Sequence, residues 1–201
     1  MRVDPRKKEE RERVAHELLR ATLALAAAHG FVSLGLREVS RAADIAPTSF
    51  YRYFADMEQL GLTIIDELGA AFFDEWIGKS DGKDAGSSLE AIAARAFAGT
   101  AADPELMRFV LAERFGAIPS FRAALERELA EVGAALHRAC AEELPRAEAP
   151  PYVANAAVVF LLEACAHALD RGPDAILALQ DRFLSQVRAL LAGAQPGRGT
   201  A

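Results

Sequence analysis

Cysteines, β-branched residues and long apolar runs are all scarce in this 201-residue chain. Its two cysteines, Cys140 and Cys165, make no disulfide framework, so a reducing cytoplasm is the expected compartment. Val, Ile and Thr together number 22, against 43 Ala and 24 Leu. Strands favour the first group and helices the second, so composition alone points to an all-α fold. No uninterrupted apolar run approaches the roughly 18 to 20 residues of a membrane span. The longest candidate, residues 156–162, stops at Glu163. No secretory signal is expected, because residues 2–13 are mostly charge of both signs. The motifs HExxH, GxSxG, the P-loop and GxGxxG are missing as well. His137 with Cys140, and Cys165 with His167, superficially offer four metal ligands. Residues two apart on a helix point roughly 200° away from each other, so no metal site is expected. Neither an enzyme nor a cofactor is expected, and no membrane partner.

What the chain does have is an uneven charge. The formal net charge is -6, which argues against a nucleic-acid partner if spread evenly. Residues 1–55, however, carry 10 Lys/Arg and 7 Asp/Glu, a net of +3, and the remaining 146 carry 13 and 22, a net of -9. A basic end on an acidic body is the pattern of a charged functional head, although a solvated helix face gives the same count.

Apolar periodicity and turn residues divide the chain into about nine helices. The first spans residues 6–29, with Val14, Leu18, Ala21 and Leu25 on one stripe. Gly30 suits its C′ position, with Phe31 folding back as the cap contact. A short second helix covers 36–43 after a Gly35 N-cap, and Pro47 opens a short third. Asp56 and Gln59 resemble a capping box for a fourth helix. That helix carries Leu60, Ile64, Leu68, Phe72 and Trp76 and is expected to reach Lys79. Residues 80–88 read as a loop. Further helices are expected at 89–101, 104–115, 121–143, 151–170 and 173–191, and the Gly/Pro tail from residue 195 on is expected to fray. The expected domains are residues 1–55, residues 56–195, and a disordered tail at 196–201.

Three helices in the first 55 residues, the last two short and joined by a three-residue turn, match the helix-turn-helix pattern. In that motif the last helix lies in the DNA major groove. Here it reads Pro47-Thr48-Ser49-Phe50-Tyr51-Arg52-Tyr53-Phe54. Phe50 and Phe54 anchor it, while Thr48, Ser49, Tyr51, Arg52 and Tyr53 present donors and no carboxylate. Such a face suits phosphates and base acceptors, with Arg52 able to fork to guanine or phosphate. Arg37 is a further phosphate candidate. An ordinary amphipathic helical hairpin is the plainer alternative.

The segments Gly30-Phe31, Leu36-Arg37-Glu38-Val39, Ala43-Asp44-Ile45-Ala46 and Phe50-Tyr51-Arg52-Tyr53-Phe54, followed by Glu58 and Leu60, resemble the DNA-binding domain of the TetR family of transcriptional repressors. More narrowly, residues 46–52 and Leu60-Gly61-Leu62-Thr63 are similar to the FabR and DesT branch, which controls unsaturated fatty-acid synthesis. Arg108-Phe109, Glu113-Arg114-Phe115, Phe121-Arg122 and Arg127-Glu128-Leu129 look like that branch too. Two positions depart from the family. Asp44 stands where glycine is usual, and Asp is among the few residues that visit the left-handed region. Met57 stands where a phosphate-binding lysine is common, so one backbone contact is missing and the salt dependence of binding should be shallower.

The resemblance implies an effector pocket in residues 56–195 and a dimer contact through the last two helices. Candidate effector-binding residues are Phe72, Trp76, Arg108, Phe109, Phe115 and Phe160, with Glu113, Arg114 and Arg122 as polar neighbours. Aromatics at helical spacing are more often plain core, and charged pairs plain surface. The candidate dimer interface is Ile176, Leu179, Phe183, Val187 and Leu190, an apolar stripe that Leu177, Leu184 and Leu191 widen beyond one core's needs. The expected protein is a homodimeric repressor binding a palindromic DNA operator and answering an acyl-CoA or other lipidic effector. The alternatives are a TetR-like repressor sensing an unrelated hydrophobic compound, and an all-α enzyme or scaffold without DNA binding.

Overall fold

The computed structural model describes residues 5–79, 88–144 and 150–194, and among these there is no strand. The helices are α1 (Pro5–His29), α2 (Leu36–Ala42), α3 (Pro47–Phe50), α4 (Met57–Thr63), α5 (Ala70–Ile77), α6 (Leu89–Ala102), α7 (Pro104–Glu113), α8 (Pro119–Glu142), α9 (Pro151–Arg171) and α10 (Ile176–Ala194). A π-helical segment, Ile64–Gly69, runs from α4 into α5, so the described residues form nine α-helices when that stretch is counted once. Most of the expected 80–88 loop, the break at 145–149 and the tail at 196–201 lie outside the described residues.

The punctuating residues take the conformations their chemistry favours. Gly30 has φ 78 and bonds its N–H to the Ala26 carbonyl at 2.8 Å, while Phe31 folds back into the core. The Asp56 carboxylate accepts from the Gln59 N–H at 2.8 Å, and the Gln59 side chain accepts from the Ala55 N–H at 2.5 Å. This is a capping box displaced by one residue. Asp44 adopts φ 54 and is the one non-glycine residue described with a positive φ. The fourth helix departs from expectation. Its π turn accommodates an extra residue, so the four-residue stripe becomes buried pairs: Ile64 with Ile65, Phe72 with Phe73, Trp76 with Ile77. It ends at Ile77, with Gly78 at φ 77, short of Lys79.

Contacts gather the chain into two compact units: residues up to Gly69 with Arg108–Leu125, and Ala70–Met107 with residues from Glu126 on. In the first unit, Leu18, Leu23, Val39, Phe50, Leu60 and Ile64 are sealed from solvent. Phe31 meets Phe121 at 4.9 Å between ring centroids and Phe109 at 5.9 Å, and the last two rings are 6.1 Å apart. The Phe121 ring lies directly on Gly61, where a Cβ would stand 2.1 Å from ring Cζ. Ser120 Oγ donates to Glu58 Oε1 at 2.6 Å beside it. The start of α8 is therefore part of the core that α1 to α4 build.

In the second unit α6 packs on α5, α9 and α10, and α9 packs on α10. Phe72, Phe73 and Trp76 cluster with centroids 5.2 to 5.5 Å apart. Gly99 admits the indole, since a Cβ there would lie 3.0 Å from Trp76 Nε1. Helix α9 is long and apolar enough, by length and composition, to cross a membrane, and 50% of that window is buried inside the protein. Glu163 does not interrupt it: the carboxylate sits on the exposed face, 3.4 Å from Arg182 on α10.

Candidate nucleic-acid interface

Pro47 starts α3 without losing a useful donor, and Phe50 and Phe54 fix the segment to the core at 0% and 5% exposure. Regular α-helix lasts only four residues. Beyond Phe50 the backbone tightens through bonds from Arg52 N–H to Ser49 O at 3.0 Å and from Tyr53 N–H to Phe50 O at 2.9 Å. Pro47, Thr48 and Arg52 are exposed, Ser49 and Tyr53 are half-buried, and Tyr51 is 66% exposed. Every expected DNA-facing residue of this segment therefore reaches the surface, around two buried anchors.

Helix α2 adds the neighbouring wall. Val39 and Ser40 face inward, which leaves Arg37 and Arg41, one turn apart, exposed. With Asp44, Ile45, Ala46 and Pro47 they line a cleft of about 360 Å³. A second groove of about 370 Å³ carries Tyr53 at its lip, with Lys8 and Arg11 from α1 against Glu12 and Glu67. The guanidinium groups of Arg37, Arg41 and Arg52 make no hydrogen bond or ion pair among the described residues. Arg13 on α1 behaves differently: it reaches Glu10 at 2.7 Å and also Glu17, and the Glu10 bond leads the effects that hold its guanidinium protonated.

The expected effector residues fall into both units. Phe72 and Trp76 pack together in the second, and the Trp76 Nε1 donor is buried without a partner. Phe160, half-buried in the same unit, borders a small recess with Glu163 and Arg182. Phe109 belongs to the aromatic core of the first unit, Arg108 is exposed there, and Phe115 is 81% exposed with the Arg114 guanidinium 5.2 Å from its ring centroid. Phe115 is outside because α7 ends at Glu113 and the next residues turn. On α10, Leu179, Phe183 and Val187 are buried inside the protomer itself, and Ile176 and Leu190 are half-buried. The apolar surface left on α9 and α10 is Tyr152, Val159 and Leu177, the last 77% exposed. Helix α10 has one stripe for its own core, and Leu177 lies off it.

Residues 18–63 match the family model described as bacterial regulatory proteins, tetR family. That match spans 46 of the chain's 201 residues. The whole fold is similar to the fatty acid degradation regulator FadR from Bacillus halodurans, at TM-score 0.69 and 16% identity over 98% of this chain and 100% of that one. It is also similar to a TetR family transcription regulator from Marinobacter aquaeolei VT8 (0.68, 21%, covering 90% and 97%). The transcriptional regulator FadR from Bacillus subtilis, solved in complex with stearoyl-CoA, superposes at 0.67 with 14% identity over 90% and 99%.

One residue of the first unit, Arg41, is not among the candidates that the sequence suggests. It completes the α2 wall, and its i, i+4 spacing from Arg37 was the available signal. Glu113, expected as a polar neighbour of the effector residues, is buried in the first unit instead. It is 4% exposed, its Oε2 has no partner, and it ends α7, where the helix dipole disfavours a negative charge. Burial pushes its carboxyl above the ordinary range. Its polar type gave no sign of that burial.

Proposed function

We propose that the chain is a ligand-responsive transcriptional repressor that binds a palindromic operator as a homodimer. The observation that carries this reading is the donor-rich 47–53 segment with its own Arg52 and the neighbouring Arg37 and Arg41, three guanidiniums without a partner among the described residues, on a stretch similar to the TetR family model. Two copies about a two-fold axis would set their recognition segments in successive major grooves, roughly 34 Å apart. In this reading residues 1–55 read DNA, residues 56–195 bind effector and dimerise, and the protein works in the cytoplasm without catalysing a reaction. Tyr152, Val159 and Leu177 support a dimer contact on α9 and α10, since they stay exposed where Phe183 and Val187 do not.

We assign the effector to the lipidic acyl-CoA class and the regulated genes to fatty-acid metabolism. An apolar aromatic cluster containing an unpartnered buried donor, Trp76 Nε1, supports an acyl ligand with a carbonyl acceptor. The stearoyl-CoA held by the structurally similar Bacillus subtilis FadR points to the same class. The same cluster also suits a flat aromatic compound, which is the second reading. A thiol sensor is disfavoured: burial pushes Cys140 up to about 11 and Cys165 up to about 12, so neither offers a thiolate. The effector acts only through its different affinity for the DNA-bound and free arrangements.

A gel-shift titration on the promoter beside its own gene, with and without saturated and unsaturated acyl-CoA, tests the reading. A retarded band whose midpoint moves with acyl-CoA is expected. Absence of any specific band at low salt overturns it, and a band indifferent to acyl-CoA leaves the unrelated hydrophobic effector.

A further inference from the structure

We propose that Asp44 is a built-in attenuator of DNA binding, a carboxylate placed in the cationic cleft that receives a backbone phosphate. This rests on the DNA-binding reading above and deepens it. The cleft of about 360 Å³ has Arg37 and Arg41 along one side, Asp44 and Ile45 at the turn, and Ala46 and Pro47 leading into α3. Two exposed guanidiniums one turn apart, neither engaged with a carboxylate among the described residues, make a forked receptor for a phosphodiester. The position, beside the first residues of the DNA-facing segment, is where a strand backbone must run if those residues read the major groove.

Asp44 sits in that cleft without a structural reason for its charge. The turn is held by the backbone: Asp44 N–H bonds the Arg41 carbonyl at 3.1 Å and Ile45 N–H bonds the Ser40 carbonyl at 2.9 Å. The Asp44 carboxylate is exposed and accepts no hydrogen bond among the described residues, so it caps nothing. At φ 54 the backbone needs a residue that tolerates the left-handed region, and Asn meets that need as well as Asp. The carboxylate's remaining effect is electrostatic. A phosphate seated on Arg37 and Arg41 lies within a Debye length of it, about 8 Å at physiological salt, so the two like charges repel. In a wet site this repulsion weakens binding by roughly threefold per cleft, hence about tenfold for a dimer using two. It acts on phosphates and is therefore blind to sequence. A domain held loosely in this way is released by an effector of modest differential affinity.

The experiment compares the full-length wild type with Asp44→Asn by fluorescence anisotropy on a promoter duplex and a scrambled duplex, from about 50 mM to about 300 mM salt. Thermal melting by circular dichroism confirms that the variant is folded, and Asp44→Gly, equally free at positive φ, serves if it is not. The variant should bind both duplexes three- to tenfold more tightly at the low-salt end, with the gain fading as salt rises. Adding Arg41→Ala should remove most of the gain. Unchanged or weaker binding to both duplexes overturns the proposal. A loss confined to the promoter duplex also overturns it, making Asp44 a reader of an exocyclic amine. Wild type that binds neither duplex at low salt sinks the DNA-binding reading itself, which is a different outcome from a variant that fails to tighten.

Discussion

In the second unit several long cations are matched by carboxylates. Arg188 reaches Glu143 at 2.9 Å and Glu90 as well, Lys79 holds Glu131 at 3.0 Å, and Arg182 lies 3.4 Å from Glu163. The bond to Glu131 raises the Lys79 pKa and lowers that of the glutamate. In the first unit Arg37, Arg41 and Arg52 are exposed with no such partner among the described residues, although Arg13 has two. Exposed pairs contribute little to stability, so the difference is mainly one of availability. A matched cation presents a neutral surface, and the body's surplus carboxylates repel phosphates. An unmatched guanidinium is left to take an external anion.

The comparison breaks first if the N-terminal unit does not need residues distant in sequence. Phe121→Ala should cost about 3 to 5 kcal/mol by emptying the ring site between Phe31, Phe109 and Gly61. Denaturant melts monitored by circular dichroism, alongside a DNA-binding titration, would show stability and binding falling together. A binding curve unaffected by that change would mean the domain ends before α4. Next in size, Arg52→Ala should lose about 1 to 3 kcal/mol on the operator and relax preference at one base, whereas Tyr51→Phe weakens all sequences alike. Equal losses for Arg52→Ala on operator and random DNA would reduce that arginine to a phosphate contact.

Glu113→Gln sharpens the comparison from the opposite sign of charge, because this carboxylate is unmatched and buried. Its folded pKa is raised, so the native state holds the proton more tightly than the unfolded chain does. Its stabilising effect is complete below the unfolded carboxylate range and is lost as pH rises through the raised value. At neutral pH the glutamine variant should be about 1 kcal/mol more stable, with the gap closing as pH falls. Melting temperatures of both proteins across that range check it, and a gap constant with pH would mean that the carboxyl does not titrate in the fold. The smallest change is expected for Arg188→Ala: at most about 1 kcal/mol in stability and none in DNA affinity. A measurable loss of binding would show that a matched cation in the body also touches DNA.

The sequence made the local features of the fold readable and hid the long-range ones. Gly30, Pro47, Asp56 and the left-handed Asp44 were all legible, because each is a backbone requirement met by a residue within four positions. The exposed donors of residues 47–53 followed from the two phenylalanines that anchor them. The π turn was not legible, since its even spacing of apolar residues fits an unbroken α-helix equally well. Nor was the seat of Phe121 on Gly61, because a contact between residues sixty apart leaves no periodic trace. The α10 stripe was recognised, but periodicity could not tell a face turned to its own core from one turned to a partner.

The brevity of α3 has one more consequence. Four helical residues cannot form a nucleus of their own in water, so the recognition surface has no independent folding equilibrium. Its shape is lent to it by Phe50 and Phe54, which are sealed in the common core. The proposed DNA-facing surface therefore melts when that core melts, and a peptide copied from residues 47–54 would carry the letters of the interface without its form.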